Sequence, residues 1–203
     1  YSHFKVCDGV VFEPYGLVRS RTSEDTQPAD TAISLTSAGN RIASSTLGVG
    51  TGEQRYTAGF RMAGSQIPGL GGVDFTIEPA WQIGHTEGLR TIDIGNLARG
   101  YNTNVNNDIQ AWAIYAGAGY TFQNVMWTPR IGYAYSFASG DSKPGEGAVK
   151  TFDHLYPTGH AHNGYMDMVG WQNIVDHQIH LSAKPSKKLV LDAKFHFMSL
   201  DEE

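Results

Sequence analysis

From Gly71 onward the stretch GGVDFTIEPAWQIG sets Val73, Phe75, Ile77, Pro79, Trp81 and Ile83 on one parity, with Asp74, Thr76, Glu78 and Gln82 on the other. A two-residue period held this long describes a β-strand with one apolar and one polar face. Proline donates nothing to a ladder, which weakens a central strand at Pro79, but the pattern runs on through it and a bulge can absorb it, so the strand is kept. The same alternation recurs along the chain. Over 53–64, Tyr56, Ala58, Phe60 and Met62 oppose Glu53, Arg55, Thr57 and Arg61. Over 125–138, Val125, Trp127, Ile131, Tyr133, Tyr135 and Phe137 oppose Thr128, Arg130, Gly132 and Ser136. Over 187–199, Leu189, Leu191, Ala193, Phe195 and Phe197 oppose Asp192, Lys194 and His196. Segments 10–21, 109–122 and 173–184 follow the rule less cleanly, and YSHFKVC at the start reads as the end of an eighth strand. No segment carries a convincing amphipathic helical period.

The links between these strands alternate in length. Cys7-Asp8-Gly9, Ser65 to Leu70, Gln123-Asn124 and Pro185-Ser186 are short, whereas Thr22 to Gly52, His85 to Asn106 and Gly140 to Gln172 are long. A compact sandwich seldom needs three long polar loops at one end. Up-and-down barrels of the bacterial outer membrane have this asymmetry, with tight periplasmic turns and long extracellular loops.

Strand length and charge placement then weigh two barrels against each other. Strands of this length exceed the soluble mode of about five or six residues and cover the roughly nine to eleven that a tilted membrane strand needs. Tyr56 and Trp81, with Tyr135 and Phe137, fall toward the long loops, while Phe122 and Trp127 fall toward the short turns, as two interfacial aromatic girdles would. The polar parity collects Glu13, Arg19, Arg21, Glu53, Arg55, Arg61, Asp74, Glu78, Arg130, Asp176, Asp192 and Lys194. A small dry core could hold that many charges only at heavy desolvation cost, whereas a watery lumen accepts them. The expected fold is all-β: a transmembrane antiparallel up-and-down barrel, with residues 1–203 forming part of one domain. A soluble barrel or sandwich is the competing arrangement.

Composition agrees. Charged residues make up only 17% and aromatics 11%, which favours apolar surroundings. A net charge of -5 argues against a nucleic-acid partner, which calls for a basic face. With Cys7 as the single cysteine, neither an internal disulfide framework nor a Cys-based zinc site can form. The chain starts at Tyr1 without a signal-like segment and stops at FHFMSLDEE without the aromatic strand that usually ends such barrels, so it reads as an internal or truncated piece.

The ordered set DIQAWAIYAGAGYTF, WTPRIGYAYSFASGD, TFDHLYPTGHAHNGYMDMVGWQNI and LSAKPSKKLVLDAKFHF resembles the alginate export family of bacterial outer-membrane barrels, roughly from Gln54 to Phe197. Its most specific part is the run Phe152, Asp153, Leu155, Tyr156, Pro157, Thr158 and His160, followed by Gly164 and the Gly-Trp-x-Asn around Trp171. The resemblance implies a barrel of well over a dozen strands, of which this chain is a portion, and a lumen rich in arginine that conducts an anionic polymer. Arg55, Arg61 and Arg130 fall where such members carry charged pore residues, while Gln178 and His180 stand where a cation is common.

Candidate pore-lining, anion-binding residues are therefore Arg19, Arg21, Arg55, Arg61, Arg130 and Lys194, because cationic rings set anion preference in pores. The alternative use of the same residues is to pair with lumen carboxylates and stiffen the wall. In the 151–171 loop, Asp153, His154, His160, His162 and Asp167 are metal-ligand types, yet no His-Glu-x-x-His or Asp-x-Asp-x-Asp-Gly spacing is present. The loop also lacks an evident nucleophile. Its apolar residues suit a loop folded into the barrel mouth, with Asp153 and His160 as hydrogen-bonding anchors. The reading is thus a bacterial outer-membrane channel, not an enzyme, passing an alginate-like anionic polysaccharide or small anions by passive diffusion. It calls for no cofactor and no metal; its partners are outer-membrane lipid, the anionic solute and periplasmic export proteins. An outer-membrane barrel enzyme using rim histidines, or a non-conducting structural barrel, are the alternatives.

Overall fold

Eight strands follow one another in the computed structural model, which describes residues 3–21, 52–87, 106–143, 147–155 and 169–203. They are β1 (Phe4–Cys7), β2 (Val10–Arg21), β3 (Glu53–Ser65), β4 (Val73–Glu87), β5 (Asn106–Thr121), β6 (Arg130–Ala138), β7 (Ile174–Ser186) and β8 (Leu189–Ser199). Each pairs antiparallel with the next, giving one up-and-down sheet in the order β1 to β8. The described residues contain no helix. The alternation of link lengths predicted from sequence holds, with short connections at one end of the sheet and long ones at the other.

Register carries each face across the whole sheet. Thr57 stands opposite Gln82, and Gln82 opposite Ala111. Farther along, Ser136 stands between Tyr115 and Asp176, and Gln178 faces His196. All the charged residues assigned to the polar parity therefore share one inner face. The outer face takes the apolar set, including Val18, Ile83, Ile131, Ile179, Leu191 and Phe197.

Burial is inverted relative to a water-soluble domain. Gln82 is 1% exposed and Asp176 0%, while Ile83 is 62% and Phe197 60% exposed. Polar groups inside and bare aliphatic and aromatic side chains outside fit a wall whose outer surface meets lipid. The competing soluble arrangement, with its apolar face inward, does not match this burial. Near the short turns Tyr120 and Phe122 pack edge to face at 4.9 Å, and the Trp112 and Phe137 rings lie 4.3 Å apart.

One local expectation is refined and two are corrected. Pro79 needs no bulge: the β3–β4 register is the same on both sides of it, from Gly59↔Ala80 to Met62↔Ile77. The strand expected over 125–138 begins only at Arg130, because Trp127 and Thr128 take positive φ (70° and 40°) in an eight-residue turn, 122–129. A backbone in the left-handed region cannot continue a ladder. The last turn lies at Lys187–Lys188, not Pro185–Ser186, following a register irregularity between Ala183 and Ser186.

Long side chains brace the inner face across intervening strands. Tyr15 on β2 passes over Gly59 of β3, and its hydroxyl donates to Glu78 on β4 at 3.2 Å. A Cβ at Gly59 would come within 2.6 Å of the Tyr15 ring and 2.7 Å of the Pro79 carbonyl oxygen. Arg130 on β6 likewise spans Gly119 of β5 to reach Asp74 on β4 with two bonds of 2.8 and 2.6 Å. The glycines supply the clearance that lets one side chain tie three strands.

Candidate functional site

Beyond β6 the chain does not leave the wall. Ser139 extends the β5 contact, its backbone N–H donating to the Trp112 carbonyl at 3.0 Å and its hydroxyl donating to the Lys150 carbonyl at 2.6 Å. Val149 then bridges Ile109 in parallel: Val149 N–H donates to Asp108 O at 2.7 Å and Gln110 N–H to Val149 O at 3.0 Å. Phe152 N–H returns to the Ser139 carbonyl at 2.9 Å. Segment 149–155 is thereby laid across the inner face.

Its hydrophobic anchor is Phe152, 5% exposed, set among Ala80, Ala111, Ala113, Ala138 and Ile174, with Trp171 packed against the group. Here the inner face of β5 carries alanines, and their small side chains leave room for a phenyl ring. Trp171 stacks with two other rings, Tyr115 at 6.2 Å and His154 at 5.8 Å. Burial pushes the His154 imidazole below its usual pKa, with the neighbouring Asp153 carboxylate pulling the other way.

The polar anchor is Asp153. Its backbone N–H donates to Gln82 Oε1 at 2.9 Å, and Gln82 Nε2 donates back to the Asp153 carbonyl at 2.7 Å. The buried amide of Gln82 thus stands in for a neighbouring strand; it also donates to Thr57 Oγ1 at 3.2 Å and accepts from Arg55 Nη1 at 2.8 Å. The Asp153 carboxylate accepts a short hydrogen bond from Arg19 Nη2 and lies 3.8 Å from Arg55 Nη2. Glu53 Oε1 joins the two arginines, 2.6 Å from Arg19 Nη2 and 2.7 Å from Arg55 Nε. Two guanidinium groups and two carboxylates form one network beside a cavity of about 220 Å³ lined by Tyr15, Glu78, His154 and Trp171, among others.

The sequence-predicted cations fall into three groups. Arg19 and Arg55 meet at the loop clamp. Arg61 pairs with Glu13 at 2.7 Å and Arg130 with Asp74, both nearer the short turns. Arg21 lies exposed at the end of β2, and Lys194 stands opposite His180 on β8. Carboxylate pairing, one of the two uses read from the sequence, is therefore realised by Arg19, Arg55, Arg61 and Arg130. Gln178 and His180 form part of a ladder of polar contacts: His180 Nε2 to Gln178 Oε1 at 3.0 Å, Gln178 Nε2 to Ser136 Oγ at 3.1 Å and to Asp176 Oδ2 at 2.7 Å, and His196 Nδ1 to that same oxygen at 2.8 Å.

Within the loop motif, Phe152, Asp153, Leu155 and Trp171 are brought together at the inner wall, whereas Tyr156, Pro157, Thr158, His160 and Gly164 lie outside the described residues. Among the described residues no group of three or more metal-ligand side chains gathers. Gln82, Thr57 and Ser139 were not foreseen as site residues. The only signal for Gln82 is its inward parity on β4.

The profile of the alginate export family matches residues 14–203. The chain belongs to the alginate export family. The family is one of outer-membrane β-barrel transport proteins, and its function is polysaccharide export across that membrane. No curated protein matches the chain.

Proposed function

We propose that the chain forms part of the wall of an outer-membrane channel that passes an anionic polysaccharide, or small anionic solutes, by passive diffusion through a charged lumen. What carries this reading is the meeting of Arg19 and Arg55 on the inner wall at the point where segment 149–155 folds inward. A guanidinium group presents paired donors that match a carboxylate, so two of them at one level make a site for an anion in transit. Arg61 and Arg130, placed toward the short-turn end, continue the cationic series along the inner face. Each is offset by a carboxylate, which keeps any single anion weakly held. Conduction needs binding weak enough to release.

The inward segment narrows the lumen at the long-loop end and acts as a gate there. Lipid, the transported anion and periplasmic export proteins complete the set of partners. Planar-bilayer recording of the full-length protein under a potassium chloride gradient tests the reading: the reversal potential is expected to report chloride permeating more readily than potassium. A cation-selective channel, or no conductance, would overturn it.

A further inference from the structure

The group that occupies the Arg19–Arg55 site is a carboxylate of the chain itself. We infer that Asp153 is a tethered competitor: it holds the position that a carboxylate of the transported anion must take, so that the anion releases the gate by exchanging with it. The inference rests on the reading of the lumen as an anion path and adds to it how the gate opens.

Three observations carry it. First, the Asp153 carboxylate hydrogen-bonds to Arg19 and lies at ion-pair distance, 3.8 Å, from Arg55, so it shares the two guanidinium groups with Glu53. Second, the Asp153 side chain is 34% exposed while Arg55 is 6% exposed, so the carboxylate can be approached from solvent while the wall arginine stays fixed. Third, the arginines keep another carboxylate, Glu53, that belongs to the wall, so loss of Asp153 leaves them positioned but short of one negative charge. An incoming carboxylate meets that deficit. Once it does, residues 153–155 lose their ionic hold, and the segment is kept by the Phe152 seat, the His154–Trp171 stack and its hydrogen bonds to Gln82, to Ser139 and, through Val149, to β5. A ligand that binds the released state better than the docked one shifts the gate toward open.

Sodium glucuronate, a sugar carboxylate, serves as probe, and glucose as its uncharged control, on single channels of the full-length protein in planar bilayers. A tethered group acts at an effective concentration in the millimolar range, so its removal sharpens apparent affinity for a free competitor by about tenfold. Asp153→Asn keeps the backbone bonds to Gln82 and is expected to lower the half-effective glucuronate concentration by that factor, while Asp153→Glu stays near wild type. In a Cys7→Ser, Leu155→Cys protein, glucuronate is expected to speed labelling of the cysteine by a water-soluble maleimide severalfold, and glucose to leave it unchanged. An unchanged or raised half-effective concentration in Asp153→Asn, or glucuronate-independent labelling, overturns the competitor while an anion-selective wild type leaves the channel reading standing. A wild type that prefers cations and ignores glucuronate removes both.

Discussion

Charge on the inner wall is placed so that few side chains act alone. Arg130 reaches Asp74 only because Gly119 lies beneath it, so Gly119→Val is expected to push the guanidinium aside and break the pair. Truncating one partner of a desolvated ion pair costs about 3–5 kcal/mol, and partial exposure at this pair brings the expected loss to about 1–2 kcal/mol. Urea titration of the refolded protein in detergent micelles would read it; an unchanged midpoint would show that the pair adds nothing. Phe152 is the apolar counterpart. Phe152→Ala removes the ring from its alanine-lined seat, where such truncations cost about 3–5 kcal/mol. The strands do not depend on that ring, so the loss is expected in docking of the segment: higher single-channel conductance at nearly unchanged strand content by circular dichroism.

At the scale of elements, the 149–155 segment has a pH response built into its packing. His154 has a pKa lowered by burial against Trp171, with Asp153 opposing and Glu78 lining the same cavity. The docked segment prefers neutral imidazole, so docking is undiminished above the ordinary histidine pKa of about 6.5 and weakens as pH falls through the lowered value. Conductance is expected to rise between pH 7 and pH 5, and His154→Phe to flatten that rise. A pH-independent wild type would contradict it. The strands that form the wall were legible in the sequence, because period-two alternation specifies both the element and the face it turns outward. Where parity was trusted past its cause it failed. Val125 and Trp127 continue the apolar parity of β6, yet the left-handed backbone at Trp127 and Thr128 puts them in a turn. The docking of Asp153 on Gln82 was not legible in full. Asp153 could be named as an anchor from its place in the loop, but its partner sits on a strand far off in sequence, and an inward glutamine carries no mark of what will fold onto it.

For the whole molecule, the distinguishing property is a polar inner face and an apolar outer one over β2 to β8. A single cation on the outer face is therefore expected to be expensive: Ile179→Lys, on β7 facing outward, should cost about 2–4 kcal/mol if it lies near the bilayer midplane. Which face is wet can be read directly along β4. With Cys7 replaced by serine, single cysteines are placed at successive positions from Phe75 to Ile83 in protein reconstituted into liposomes, and a membrane-impermeant thiol reagent is added. The account predicts a two-residue alternation, with cysteines at Thr76 and Glu78 reacting and those at Phe75, Ile77, Trp81 and Ile83 protected by lipid. Reactivity at the second set with protection of the first, or no alternation at all, would contradict a lumen lined by the charged face.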